Sequence, residues 1–218
     1  MVRIGGKPIL WHIMKIYYAQ GFRQFILLLG YKGEHIRAYV KKVRGGNEVW
    51  NITCVDTGLD TQTGGRLKQL ETMIRTPFFM LTYGDGVCDV NLRKLIAYHD
   101  KKKKTATLSA VHPPVRFGQV VFDERGNVKA FREKPDPITH RSEHLINGGF
   151  FVVDTKIFRD MSDDKRLVFE RDVLGKLAKK RRLAALPHKG YWQCMDTIRD
   201  MEVLNEAWKS GKAPWKIW

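Results

Sequence analysis

Two carboxylates stand where they could hold a metal ion between phosphoryl groups. Asp85 lies between Gly84 and Gly86, directly after the apolar run Phe78-Phe-Met-Leu-Thr82. A lone carboxylate at the carboxyl end of a buried strand suits Mg2+, which takes few protein oxygens and keeps phosphates and water. The flanking glycines allow close backbone approach. Taken alone, the motif reads first as a tight turn whose Asp satisfies backbone amides. Asp196, in Trp192-Gln-Cys-Met-Asp-Thr197, precedes a helical pattern. It is either a helix cap or the second carboxylate of the same site.

Three more clusters carry polar groups at element boundaries. Glu133-Lys134 ends a strand-like stretch before Pro135. The pair could bind a sugar hydroxyl and a phosphate, or be a surface ion pair of little energetic weight. Asn147-Gly148-Gly149 opens an apolar run. Asn offers a donor and an acceptor, and the glycines bare backbone amides; a simple glycine turn explains them too. Thr63-Gly64-Gly65-Arg66 precedes a helical pattern. Its glycines could present amides to an anion or a base edge, and Arg66 could pair with a carbonyl or phosphate. Helix capping accounts for the glycines equally well.

The elements that must position these groups alternate. Pro8 to Gln20 has helical apolar spacing and ends at Gly21. Phe25 to Leu29 is apolar throughout, as a central strand is. Further helices are expected over 33–43, 66–73, 91–100, 169–180 and 200–210. Further strands are expected over 50–55, 78–82, 105–111, 147–153 and 183–188. A hairpin is expected to turn at Arg125-Gly126-Asn127. Such alternation predicts an α/β fold, Rossmann-like, with a mostly parallel sheet and helices on both faces. Ligands then gather beyond the carboxyl ends of strands. The chain reads as one domain over 1–218, with the hairpin and loop of 113–146 on one side of the site.

Composition narrows the field. The 218 residues are 43% hydrophobic, enough for a sizeable core. Cys54, Cys88 and Cys194 show neither zinc spacing nor a disulfide framework, which predicts a reducing, cytoplasmic setting. No stretch approaches the roughly 20 apolar residues of a membrane span. The formal charge is +16. Its basic runs, Lys101 to Lys104 and Lys179 to Arg182, border helical patterns and lack interleaved stacking aromatics, so nucleic acid is not the expected partner.

Individually weak, these motifs recur in one family's order and wording. The strings Ile4-Gly-Gly-Lys-Pro-Ile-Leu-Trp-His-Ile-Met14, Gly30-Tyr-Lys-Gly33, Val55-Asp-Thr-Gly58, Thr63-Gly-Gly-Arg-Leu-Lys68 and Tyr83-Gly-Asp-Gly-Val87 resemble glucose-1-phosphate cytidylyltransferases. So do Arg116-Phe-Gly118, Glu133-Lys-Pro135, Asn147-Gly-Gly-Phe-Phe151, Trp192-Gln-Cys-Met-Asp-Thr197 and Ala213-Pro-Trp-Lys216. The resemblance implies a nucleotide-diphospho-sugar transferase fold. It implies that CTP and α-D-glucose 1-phosphate give CDP-glucose and pyrophosphate, with Mg2+ and no covalent intermediate. It assigns the metal to Asp85 and Asp196, and the nucleotide to Thr63, Gly64, Gly65, Arg66 and Gly84. It assigns the sugar phosphate to Glu133, Lys134, Asn147, Gly148 and Trp192, with Lys134 among the catalytic groups. It also implies a homo-oligomer.

Two departures are expected to matter. The family begins with a strand, a Gly-Gly-x-Gly-Thr-Arg-Leu loop and an Arg-Pro-Lys-Pro-Met-Val segment, and Met1-Val2 aligns with the end of that segment. Without that strand and phosphate-gripping loop, residues 1–218 are expected to show almost no turnover. The family's longer stretch between Val43 and Trp50 shrinks to Arg44-Gly-Gly-Asn-Glu-Val49, which leaves assembly and base choice open. The alternatives are a thymidylyl- or uridylyltransferase, or a non-catalytic sugar-phosphate-binding homologue.

Overall fold

The computed structural model describes residues 1–43, 50–114, 118–132 and 144–218. The chain opens with a small ladder, β1 (Arg3–Ile4) and β2 (Lys7–Pro8), and helix α1 (Ile9–Ala19). Then come β3 (Gln24–Leu29), α2 (Gly33–Val43), β4 (Asn51–Asp56), α3 (Thr63–Lys68), β5 (Phe78–Thr82) and β6 (Gly86–Cys88). Helix α4 (Leu92–Lys102), β7 (Ala106–Val111), the hairpin strands β8 (Gln119–Phe122) and β9 (Val128–Arg132), and β10 (Ile146–Asp154) follow. A 3-10 turn spans Thr155–Asp160, and a π-helical stretch, Phe169–Leu174, runs into α5 (Gly175–Lys179). The chain closes with β11 (Leu183–His188), β12 (Trp192–Cys194) and α6 (Ile198–Lys209).

The central sheet has the order β11-β7-β10-β5. Its core strand β10 alternates two faces, as a strand's period of two requires. Phe150 and Val152 pack with Ile13, Ile16 and Tyr17 of α1 and with Leu92 and Leu95 of α4. Phe151 and Val153 pack with Phe169, Val173 and Leu177 on the other side. Helices therefore cover both faces, as the sequence predicts. The expectation of a mostly parallel sheet is corrected in detail. β11 runs parallel to β7, and β3 parallel to β4, but β10 is antiparallel to both its neighbours. Apolar runs mark a strand as buried on two faces without fixing its direction.

A second, parallel ladder joins β3 and β4 over Met14, Val40, Trp50 and Ile52. β3 pairs only with β4, and β5 only with β10, so among the described residues no ladder joins them. Ile26 on β3 is 37% exposed, and every residue of β5 is half-buried.

Both basic runs sit at helix ends. Lys101 and Lys102 close α4, with Lys103 in a left-handed cap at φ 51°. Lys179 closes α5. Cations there complement the helix dipole. No helix among the described residues is long and apolar enough to cross a membrane, and the three cysteines are free.

Candidate active site

The two carboxylates meet because a short ladder brings them together. β12 pairs antiparallel with β6, setting Cys194 opposite Gly86. The ladder ends with the Met195 amide donating to the Asp85 carbonyl at 2.8 Å. Asp85 and Asp196 thus emerge side by side, both at the surface. Asp85's carboxyl is held above the usual carboxylate range, first by partial enclosure in the protein and then by the negative charge of Asp196. Asp196 also leads into α6. There Thr197 caps the helix and exchanges hydrogen bonds with Asp200, whose carboxylate accepts from the amides of Asp196 and Thr197. Thr197, not Asp196, is therefore the helix cap, and Asp196 lies close enough for its charge to act on Asp85.

Trp192 lies on β12, and Asn147 and Gly148 lie on β10. The Trp192 indole donates to the Gly148 carbonyl at 2.7 Å, tying β12 to β10. The β10 ladder with β7 shifts register between Asn147 and Phe151. Such a bulge re-aims a side chain. Gly148 and Gly149 are buried. A Cβ on Gly148 would stand 2.6 Å from Ser109 Oγ and Val111 Cγ1. The Gly149 amide donates to Asn147 Oδ1 at 2.9 Å. These glycines are required by close packing, and they fix Asn147's amide orientation. Gly84 differs again: nothing lies within 4 Å of a Cβ built there.

Thr63 to Arg66 form the first turn of α3, not the lead-in to a helix over 66–73. The Gly65 amide donates to the Leu167 carbonyl at 3.0 Å, and a Gly64 Cβ would meet Leu167 at 2.9 Å. Arg66 donates to the Leu29 carbonyl, the Thr57 hydroxyl and the Leu59 carbonyl at 2.9, 2.6 and 3.2 Å. Its guanidinium here pins the ends of β3 and β4. A cleft of about 530 Å3 opens alongside, lined by Thr57, Gly58, Gly65, Lys68, Gln69 and Lys165 among others. Another, of about 570 Å3, is lined by Gly5, Asn205 and Trp208, at the far end of α6 from Asp196. Glu133, Lys134, Arg116-Phe117 and the short stretch 44–49 lie outside the described residues.

Two residues not anticipated from sequence link these parts. The Tyr83 hydroxyl donates to Glu170 Oε1 at 2.6 Å and accepts from the Asn147 amide at 3.1 Å. The Thr63 hydroxyl donates to Glu170 Oε2 at 2.9 Å and accepts from the Phe169 amide at 2.9 Å. Burial, followed by the Glu170 carboxylate, pushes the Tyr83 phenol pKa up, so it remains a donor. Tyr83 had one signal in the sequence, its place directly before Gly84-Asp85; Glu170 had none.

The chain is similar to characterised proteins along its whole length. It is 41% identical to the glucose-1-phosphate cytidylyltransferase of Salmonella typhi, covering 100% of this chain and 90% of that protein. It is 27% identical to the mannose-1-phosphate guanylyltransferase catalytic subunit beta of Drosophila melanogaster, over 92% of this chain and 54% of that one. HddC from Yersinia pseudotuberculosis, solved with GMP-PN, superposes with a TM-score of 0.72 at 25% identity, covering 95% of this chain and 88% of that one. The Salmonella alignment spans 242 positions, more than the chain's 218 residues, so the relative holds internal residues that this chain lacks. The nucleotidyl transferase family model matches residues 1–209. The chain belongs to the nucleotidyl transferase family, in its glucose-1-phosphate cytidylyltransferase branch.

Proposed function

We propose that this site serves transfer of a cytidylyl group from CTP to α-D-glucose 1-phosphate, giving CDP-glucose and pyrophosphate. The observation that carries the reading is Asp85, its carboxyl held above the usual range first by enclosure and then by the charge of Asp196, on the ladder that also carries Trp192 with its bond to Gly148. Two acidic groups so placed fit a divalent cation, which relieves the repulsion between them. Asp85 and Asp196 would hold Mg2+, which when bound neutralises phosphoryl charge.

The chain's own groups supply position. Thr63, Gly64, Gly65 and Gly84 stand on the nucleotide side. Arg66 takes its part there by holding the ends of β3 and β4 in place beneath the cleft. Asn147, Gly148 and Trp192, with Glu133 and Lys134, form the sugar-phosphate side, and Lys134 acts on the phosphate. Residues 113–146, which include the β8–β9 hairpin, belong to that side of the single domain 1–218. The protein works in the cytoplasm as a homo-oligomer. Exposed Phe122, Val128 and Phe131 on the hairpin offer the apolar surface subunits bury.

Nucleotide binding tests the reading. With Mg2+ present, CTP is expected to raise the melting temperature more than UTP, dTTP or GTP. Glucose 1-phosphate is expected to bind by calorimetry. Asp85→Asn should abolish the Mg2+-dependent part. A stronger shift with another nucleotide would overturn the base assignment, and an undiminished shift in Asp85→Asn would overturn the metal assignment.

A further inference from the structure

Glu170 sits in the first turn of the π-helical stretch, half-buried, with each carboxylate oxygen engaged by a different hydroxyl. One hydroxyl comes from Thr63 in the first turn of α3. The other comes from Tyr83, which leads into Gly84-Asp85. The donors run in one direction only. The Asn147 amide donates to the Tyr83 oxygen, so the phenol proton must point to Glu170. The Phe169 amide donates to the Thr63 oxygen, so that hydroxyl proton must also point to Glu170. An ionised carboxylate, acceptor at both oxygens, satisfies this arrangement, and a neutral amide does not. Asn147 is locked at its other end by the Gly149 amide. The chain of bonds runs from α3 to β10, and residues separated by 87 and 107 positions meet at one side chain.

We infer that Glu170 is a positioning residue that sets the nucleotide side through Thr63 and the sugar-phosphate side through Tyr83 and Asn147. This rests on the cytidylyltransferase reading of those two sides. Glu170 touches neither substrate in this role. Its two branches make the consequence separable: the Thr63 branch serves CTP, and the Tyr83 branch serves glucose 1-phosphate.

The test is calorimetric binding of CTP with Mg2+, and separately of glucose 1-phosphate, to the whole chain and its variants. Glu170→Gln must turn an NH2 toward one of two donors. It is expected to weaken at least one of the two ligands about 10- to 100-fold, the range of a lost charged hydrogen bond. Tyr83→Phe cuts one branch only. It should weaken glucose 1-phosphate by a similar factor and leave CTP within about threefold. Thr63→Ala should do the reverse, and Thr63→Ser, which restores the hydroxyl, should recover CTP binding. Binding stoichiometry counts the folded fraction, so a merely structural defect shows as fewer sites with unchanged affinity. Three results would sink the inference: unchanged affinities in Glu170→Gln, equal weakening of both ligands by Tyr83→Phe, or a loss of sites alone. Failure of the wild-type chain to bind either ligand would instead refute the proposed function, and the inference with it.

Discussion

Gly149 offers a sharp probe of the packing under the site. Its φ is +75°, and a Cβ there would lie 2.7 Å from Tyr83 Cδ2 and 3.3 Å from Cε2. Gly149→Ala therefore has two costs. The left-handed backbone costs an alanine about 1–2 kcal/mol. The ring must also retreat roughly 0.8 Å or more to reach ordinary carbon–carbon separation. A retreat along the 2.6 Å bond from the Tyr83 hydroxyl to Glu170 lengthens it to about 3.4 Å, outside the favoured O–H···O range. Losing a bond to a charged partner adds about 1.5–3 kcal/mol. The sum, about 2.5–5 kcal/mol, corresponds to a melting temperature lower by about 5–20 °C for a chain of this size. Urea unfolding followed by circular dichroism measures it. The decisive comparison is a Tyr83→Phe background, where the hydroxyl is already gone. There Gly149→Ala should cost only about the strain, 1–2 kcal/mol. Equal costs in the two backgrounds, or a wild-type melting temperature in Gly149→Ala, would refute the reasoning.

Other consequences are as direct. Asp196→Asn removes the second cause of Asp85's raised pKa; NMR titration should find the Asp85 midpoint lower than in wild type, though still raised by enclosure, and an unmoved midpoint would separate the two carboxylates. His12 is fully buried, its Nε2 2.9 Å from the Ile4 carbonyl and its Nδ1 accepting from the Trp215 indole at 3.3 Å. Burial holds its pKa below the ordinary 6.5. The native ring is neutral while the unfolded one charges, so stability present above pH 6.5 is lost as pH falls below it toward the folded pKa. The loss runs at up to about 1.4 kcal/mol per pH unit, and His12→Phe should remove that slope in urea titrations from pH 7 downward. Arg66→Lys loses the fork that reaches three acceptors at once; unfolding without any nucleotide should show about 1–3 kcal/mol less stability, and no change would deny the guanidinium its structural part.

Much of this architecture was legible before any coordinates. Helix spacing in 8–20 and uniform apolarity in 25–29 and 78–82 mark elements that the fold retains, and Asp85 and Asp196 lie at element ends as the sequence predicts. Local pattern could not show that β10 enters antiparallel between β5 and β7, because direction is set by connections and not by side chains. Nor could it separate a glycine that bares its amide from one that packs. Gly65 and Gly149 give their amides to Leu167 and Asn147, and Gly148 is required by Ser109 and Val111. Glu170 carries no local signal, because its partners are 87 and 107 residues away and a single carboxylate on a helix has no periodic signature. The type of Arg66 suits a carbonyl or a phosphate equally; which acceptors it takes depends on where β3 and β4 end.

The break between the β3–β4 ladder and the four-stranded sheet makes α3 a rivet. On one side Arg66 grips Leu29, Thr57 and Leu59. On the other, Gly65 holds Leu167, Thr63 holds Glu170, and Lys68 reaches the Phe158 carbonyl at 2.9 Å. Strand ladders propagate cooperativity, and side-chain rivets do so less well. Amide hydrogen exchange should therefore divide the chain along this seam. β3 and β4 would exchange as one unit, and β5, β7, β10 and β11 as a slower one. The residues proposed for the nucleotide straddle the seam, whereas Asn147 and Gly148 lie on β10 within the slower unit.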